Sequence, residues 1–86
     1  MRIILIYDVS AERVNKVMKV CREYLEHVQN SVFEGDITDS NFKELTSKLK
    51  SIIDQNIDSI IIYHLWISKY NKEIIGIEKR NNDNFI

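Results

Sequence analysis

The chain opens on Ile3-Ile-Leu-Ile-Tyr7, apolar at consecutive positions, the pattern of a β-strand buried on both faces. Asp8, Val9 and Ser10 make a short polar connection. The period then changes to that of a helix from Ala11 to about Leu25. Val14, Val17, Met18, Cys21, Tyr24 and Leu25 share one arc, and Arg13, Lys16, Lys19 and Arg22 lie on the opposite half. Ser10 is placed as the N-cap, with Glu12 suited to the positive end of the helix dipole. Between His27 and Ile37, Val28, Phe33 and Ile37 predict two short strands around a turn or bulge at Gln29-Asn30-Ser31. Thr38 to Asn41 offers several N-caps for a second amphipathic helix. It is marked by Phe42, Leu45, Leu49, Ile52 and Ile53 and ends near Asp54 to Asn56. Ser59 to Leu65 is another apolar strand, and Glu73 to Glu78, around Gly76, predicts a last one.

The first six elements follow the α+β ferredoxin-like order βαββαβ, with an extra C-terminal strand. Residues 1–79 are expected to form one domain and residues 80–86, which include Phe85 and Ile86, a polar, mobile tail. Two helices cover only one face of such a sheet. The strands at Ile3–Tyr7 and Ser59–Leu65 are nevertheless apolar on both faces, and the fourth strand of this topology lies at an edge. A homodimer packed sheet on sheet would dry the second face. The extra strand would then cover the fourth, in its own chain or in the partner's.

Composition narrows the class. The chain has 86 residues, 44% hydrophobic and 29% charged, with no proline. These fractions exclude disorder, collagen and a disulfide scaffold. A single cysteine forms no internal bridge and fits a reducing cytosol, so the expected location is cytoplasmic. No apolar run approaches the roughly 20 residues of a membrane helix, and the strand-like start argues against a signal peptide. A domain of this size buries only about two thirds of its unfolded surface, which again favours oligomerisation. Twelve basic against thirteen acidic residues leave a net charge of -1, so the chain is not globally basic. The stretch from residue 13 to residue 22 nonetheless carries four positive charges and no negative one.

Candidate chemistry concentrates at Asp8. It stands where a central strand gives way to a helix, a favoured position for sites in sheets carrying helices, and the same place suits a turn or cap. One carboxylate is a poor Mg2+ site, because such sites combine one or two carboxylates with waters and phosphates. A dimer axis nearby would bring a second Asp8, and the pair could hold one cation. Arg13, Lys16, Lys19 and Arg22 read either as a solvated helix face or as phosphate contacts for nucleic acid. His27 and His64 lack metal-ligand spacing, and Cys21 lies on the apolar face as core. No glycine-rich phosphate loop, zinc signature or RNP motif is present.

Three segments carry a resemblance. Ile4-Leu-Ile-Tyr-Asp-Val-Ser10, Val28-Gln-Asn-Ser-Val-Phe-Glu-Gly35 and Ile75-Gly-Ile-Glu78 resemble the CRISPR-associated protein 2 family over about Met1 to Lys79. The middle block is the most specific, since hydrophobic patterning does not dictate Gln29, Asn30 and Ser31; the Asn-Phe-Ile ending is also similar. The resemblance implies a ferredoxin-like homodimer whose last strand reaches the partner's sheet. It further implies a role in CRISPR adaptation, bridging two integrase dimers and holding the DNA destined to become a spacer. Magnesium-dependent endonuclease activity on RNA or DNA is implied as well, with Asp8 as catalytic residue and metal ligand. Arg13 and Lys16 fall near basic positions of the family, Phe33 matches its phenylalanine, and His27 stands where arginine is usual. One aspartate per chain offers no general base, so hydrolysis is expected to be slow. A toxin-type ribonuclease of the same fold and a non-catalytic interaction domain are the competing classes.

Overall fold

The structure, a computed structural model, describes residues 1–66 and 70–79. Its elements are β1 (Arg2–Asp8), α1 (Ala11–Tyr24), β2 (Glu26–Gln29), β3 (Val32–Asp36), α2 (Asp39–Ile52), β4 (Ser59–Leu65) and β5 (Tyr70–Gly76). The order of the first six is the ferredoxin-like one expected. The proposed tail, residues 80–86, lies outside the described residues.

Each helix start has its own chemistry. Thr38 caps α2 through its side chain, whose oxygen accepts the Asn41 N–H at 3.1 Å. Ser10 occupies the N-cap of α1 in extended conformation, but its hydroxyl makes no capping bond. Between β2 and β3 the chain turns at Asn30 with φ +38°, a left-handed geometry that asparagine tolerates. The pairing shifts between His27 and Gln29, so the expected turn and bulge coexist there.

All pairings are antiparallel and the strand order is β2-β3-β1-β4-β5. Alternation sends Ile3, Leu5, Tyr7, Phe33, Ile60, Ile62 and Ile75 to the face that both helices cover. Val17 and Cys21 of α1, and Leu45 and Leu49 of α2, close the core from above. The opposite face carries Ile4 and Ile6 of β1, paired with Tyr63 and Ile61 of β4; Ile61 pairs in turn with Ile74 of β5. Ile61 is 5% exposed, and Ile4, Ile6, Tyr63 and Ile74 are half-buried. The second apolar face read from consecutive apolar positions is therefore real.

The bounds expected for the last strand need correction. It runs Tyr70–Gly76 rather than Glu73 to Glu78. Of the two pairings left open for it, the chain shows the one with its own β4, along the whole length from Leu65↔Tyr70 to Ser59↔Gly76. Only residues 66–69 separate the two strands in sequence, and β4 would otherwise be a long apolar edge. The strand stops at Gly76 because the backbone there takes φ +97° and packs on Asp58, whose carbonyl oxygen a Cβ would strike. Gly76→Ala is therefore expected to destabilise the chain by about 1–3 kcal/mol, read as a lowered urea midpoint. An unchanged midpoint would show that the backbone relaxes freely at this turn.

Candidate active site

The exit of β1, the start of α1 and the exit of β5 converge on one residue, Asp58. It is fully buried just before β4, and its carboxylate accepts four hydrogen bonds among the described residues. Oδ1 takes the Ser10 N–H at 3.0 Å and Arg13 Nη2 at 3.1 Å. Oδ2 takes Arg13 Nε at 2.6 Å and the Asp54 N–H at 2.9 Å. The fork of Arg13 thus grips the carboxylate in bidentate fashion. At the head of α1, Asp58 takes the N–H of Ser10, whose own hydroxyl makes no capping bond. On its other side the Asp58 carbonyl accepts the Ile77 N–H at 3.1 Å. Hydrogen bonding from Arg13, reinforced by the Asp54 and Ser10 amides, holds the Asp58 carboxyl far below the usual carboxylate range. The same contact raises the Arg13 pKa.

Asp8, by contrast, is open. It closes β1 opposite Ser59, and its side chain is 63% exposed. Its contact is Lys79, whose Nζ lies 3.4 Å from Oδ2 and 3.4 Å from the Asp8 carbonyl oxygen. Beside it Tyr7 points into the core, where burial pushes its phenol pKa up and removes it as an acid or base at neutral pH. Cys21 is likewise inert: burial pushes its thiol up to about 12.

The basic stripe divides. Lys16, Lys19 and Arg22 are exposed and form no ion pair among the described residues. Arg13 is bound to Asp58 and, through Nη1, to Glu12 at 2.9 Å, so it holds the fold at the head of the helix from which the other three project. His27 stacks on Phe33 with ring centroids 4.6 Å apart, and its Nε2 donates to the Asn30 carbonyl at 2.6 Å. It closes the β2–β3 hairpin. His64 pairs with Glu73 at 3.0 Å and meets the edge of Phe42.

Neither Asp58 nor Lys79 stood out in the sequence. Asp58 is 45 residues from Arg13 and Lys79 is 71 from Asp8, so no spacing announces either pair. The available signal was indirect: an acid ahead of an apolar strand invites a search for its counter-ion.

Chemically, the strand end offers a solvent-facing carboxylate with an ammonium beside it. Among the described residues no three His, Cys, Asp or Glu side chains converge to hold a metal. Asp8 alone, already facing Lys79, does not fit a resident Mg2+ within one chain.

Comparison with known proteins identifies relatives of this chain. The family model of CRISPR associated protein Cas2 matches residues 1–73. A relative named CRISPR-associated endoribonuclease Cas2, from Pyrococcus furiosus, is 53% identical over 79 residues, covering 92% of each chain. One of the same name from Dictyoglomus turgidum is 41% identical over 87 residues, covering all of both. Among solved structures, the chain is similar to Streptococcus pyogenes Cas2 with a TM-score of 0.72 and 38% identity, covering 79% of this chain and 89% of that one.

Because the Asp58 carboxylate is ionised in the fold and its pKa is depressed, its contribution is complete above the unfolded value near 3.8. It fades as pH falls below that value toward the folded one. Asp58→Asn is expected to cost about 3 kcal/mol at neutral pH, since it leaves Arg13 and two amides facing a group that cannot satisfy them. It should also flatten the acid limb of stability below about pH 4. Urea unfolding from pH 7 to pH 2 checks both; an acid limb as steep in the variant would assign it to other carboxylates.

Proposed function

The chain belongs to the CRISPR-associated protein Cas2 family, and we propose that it is an adaptation protein working as a homodimer. In this reading two copies pack sheet on sheet through the face carrying Ile4, Ile6, Ile61 and Ile74. The pair binds nucleic-acid phosphates and bridges integrase dimers during spacer acquisition. The observation that carries the proposal is the family match over residues 1–73, which includes the exposed Asp8 at the end of the central strand. The second apolar face supports dimerisation, because a small domain leaving such a face in water is an aggregation liability.

Lys16, Lys19 and Arg22 are the phosphate contacts, one helix face per chain and two per dimer. Arg13 sets the head of that face through Asp58. Slow endonuclease activity resides at Asp8, and a second copy would supply a second carboxylate to an Mg2+ site. Relatives named endoribonucleases favour RNA as the substrate of any cleavage. The location is the cytoplasm, in keeping with the unpaired, buried Cys21. No helix among the described residues is long and apolar enough to cross a membrane.

Co-purification with an integrase, followed by spacer insertion with and without this protein, tests the scaffold role. Asp8→Asn is expected to abolish cleavage while leaving the dimer and integrase binding intact, read by gel assay and light scattering. Loss of integrase binding in that variant would contradict the separation of roles. Replacing Lys16, Lys19 and Arg22 with alanine should flatten the dependence of log K on log salt by about 0.7–0.9 for each phosphate no longer neutralised. An unchanged slope would return the stripe to a solvated helix face.

A further inference from the structure

The contact between Lys79 and Asp8 is set by the fold's own anchor points. After Gly76 turns the chain, the Ile77 N–H is tied to the Asp58 carbonyl at 3.1 Å. The carboxylate of that same residue holds Ser10, two positions after Asp8. Both the β1–α1 connection and the exit of β5 are therefore pinned to one buried residue, from opposite ends of the chain. Two residues beyond Ile77, the Lys79 ammonium reaches both the side chain and the backbone oxygen of Asp8. The preceding acid, Glu78, is engaged by Lys72 at 3.1 Å.

An exposed carboxylate repels a phosphodiester, so positive charge from the chain itself, in addition to any cation held by two Asp8 carboxylates, would ease the approach of a phosphate to Asp8. Lys79 supplies that charge. Its side chain is 32% exposed, so it remains open to a ligand from solvent. Ion pairs of such exposure are weak and readily exchanged, and a lysine is a mobile point charge with three donors that suits phosphate oxygens.

We propose that Lys79 is a substrate-binding residue of the Asp8 site, moving its ammonium from the carboxylate to a non-bridging oxygen of the bound phosphodiester. This rests on the reading of Asp8 as the site of cleavage. The side chain takes part in binding and charge neutralisation and transfers no proton.

The test compares wild type, Lys79→Met, Lys79→Arg and Asp8→Asn on fluorescein-labelled RNA and DNA oligonucleotides. Binding is measured over a range of salt, alongside kcat and KM for cleavage. Lys79→Met is expected to raise Kd and KM about 5–10-fold with a smaller effect on kcat. It should also flatten the salt slope by about 0.7–0.9, with the urea midpoint close to wild type. Lys79→Arg should restore most of the binding, since it returns the charge. If Asp8→Asn is inactive while Lys79→Met matches wild type in Kd, KM and salt slope, the assignment of Lys79 is overturned alone. If wild type binds neither oligonucleotide, or Asp8→Asn cleaves as wild type does, the reading of Asp8 falls and the role of Lys79 falls with it.

Discussion

A charge with no access to water, Asp58 with its four donors, fixes the end of the sheet where the candidate chemistry lies. A buried carboxylate is tolerable only when paired and fully hydrogen-bonded. Satisfying it consumes the head of α1, the turn after α2 and the guanidinium of Arg13. Its carbonyl meanwhile anchors the residue after Gly76. Three segments distant in sequence, the head of α1, the turn after α2 and the exit of β5, are thereby held in one arrangement by a single side chain and its own backbone. Asp8, two residues from one anchor, and Lys79, two residues from another, inherit their proximity from it.

The sheet imposes the second constraint. With both helices on one face, β1 and β4 still present isoleucines on the other. Strand β5 removes the edge problem for β4 within the chain, but it adds Ile74 to the uncovered face and so enlarges the apolar area there. Covering the edge and covering the face are separate problems. The chain solves only the first by itself, and the uncovered face is the physical ground for the proposed pairing of two copies.

The hydrophobic pattern made much of this legible. Consecutive apolar residues at Ile3–Tyr7 and Ser59–Leu65 located β1 and β4, and the helical period located α1 and α2, because burial dictates those positions directly. Thr38 was legible as a cap by its type. The last strand was misplaced because Tyr70–Gly76 alternates polar and apolar residues only weakly, with Asn71, Lys72 and Glu73 in its first half. Only pairing with β4 makes it a strand. Ser10 does occupy the N-cap, but its hydroxyl makes no capping bond and its own N–H goes to the distant Asp58 carboxylate. Arg13 likewise looked like part of a uniform basic stripe, since a helix wheel counts charges and not their partners.

The two aspartates near the end of the sheet show what separates scaffold from site. Asp58 and Arg13 form a buried bidentate pair whose disruption would strand a charge, so its geometry is rigid. Asp8 and Lys79 form an exposed pair at 3.4 Å, where solvent screens the attraction and either partner can leave at little cost. A ligand can displace the second kind of pair but not the first. Exchangeable charges are therefore useful only if something unexchangeable holds their backbones in place, and here the anchor stands two residues from each.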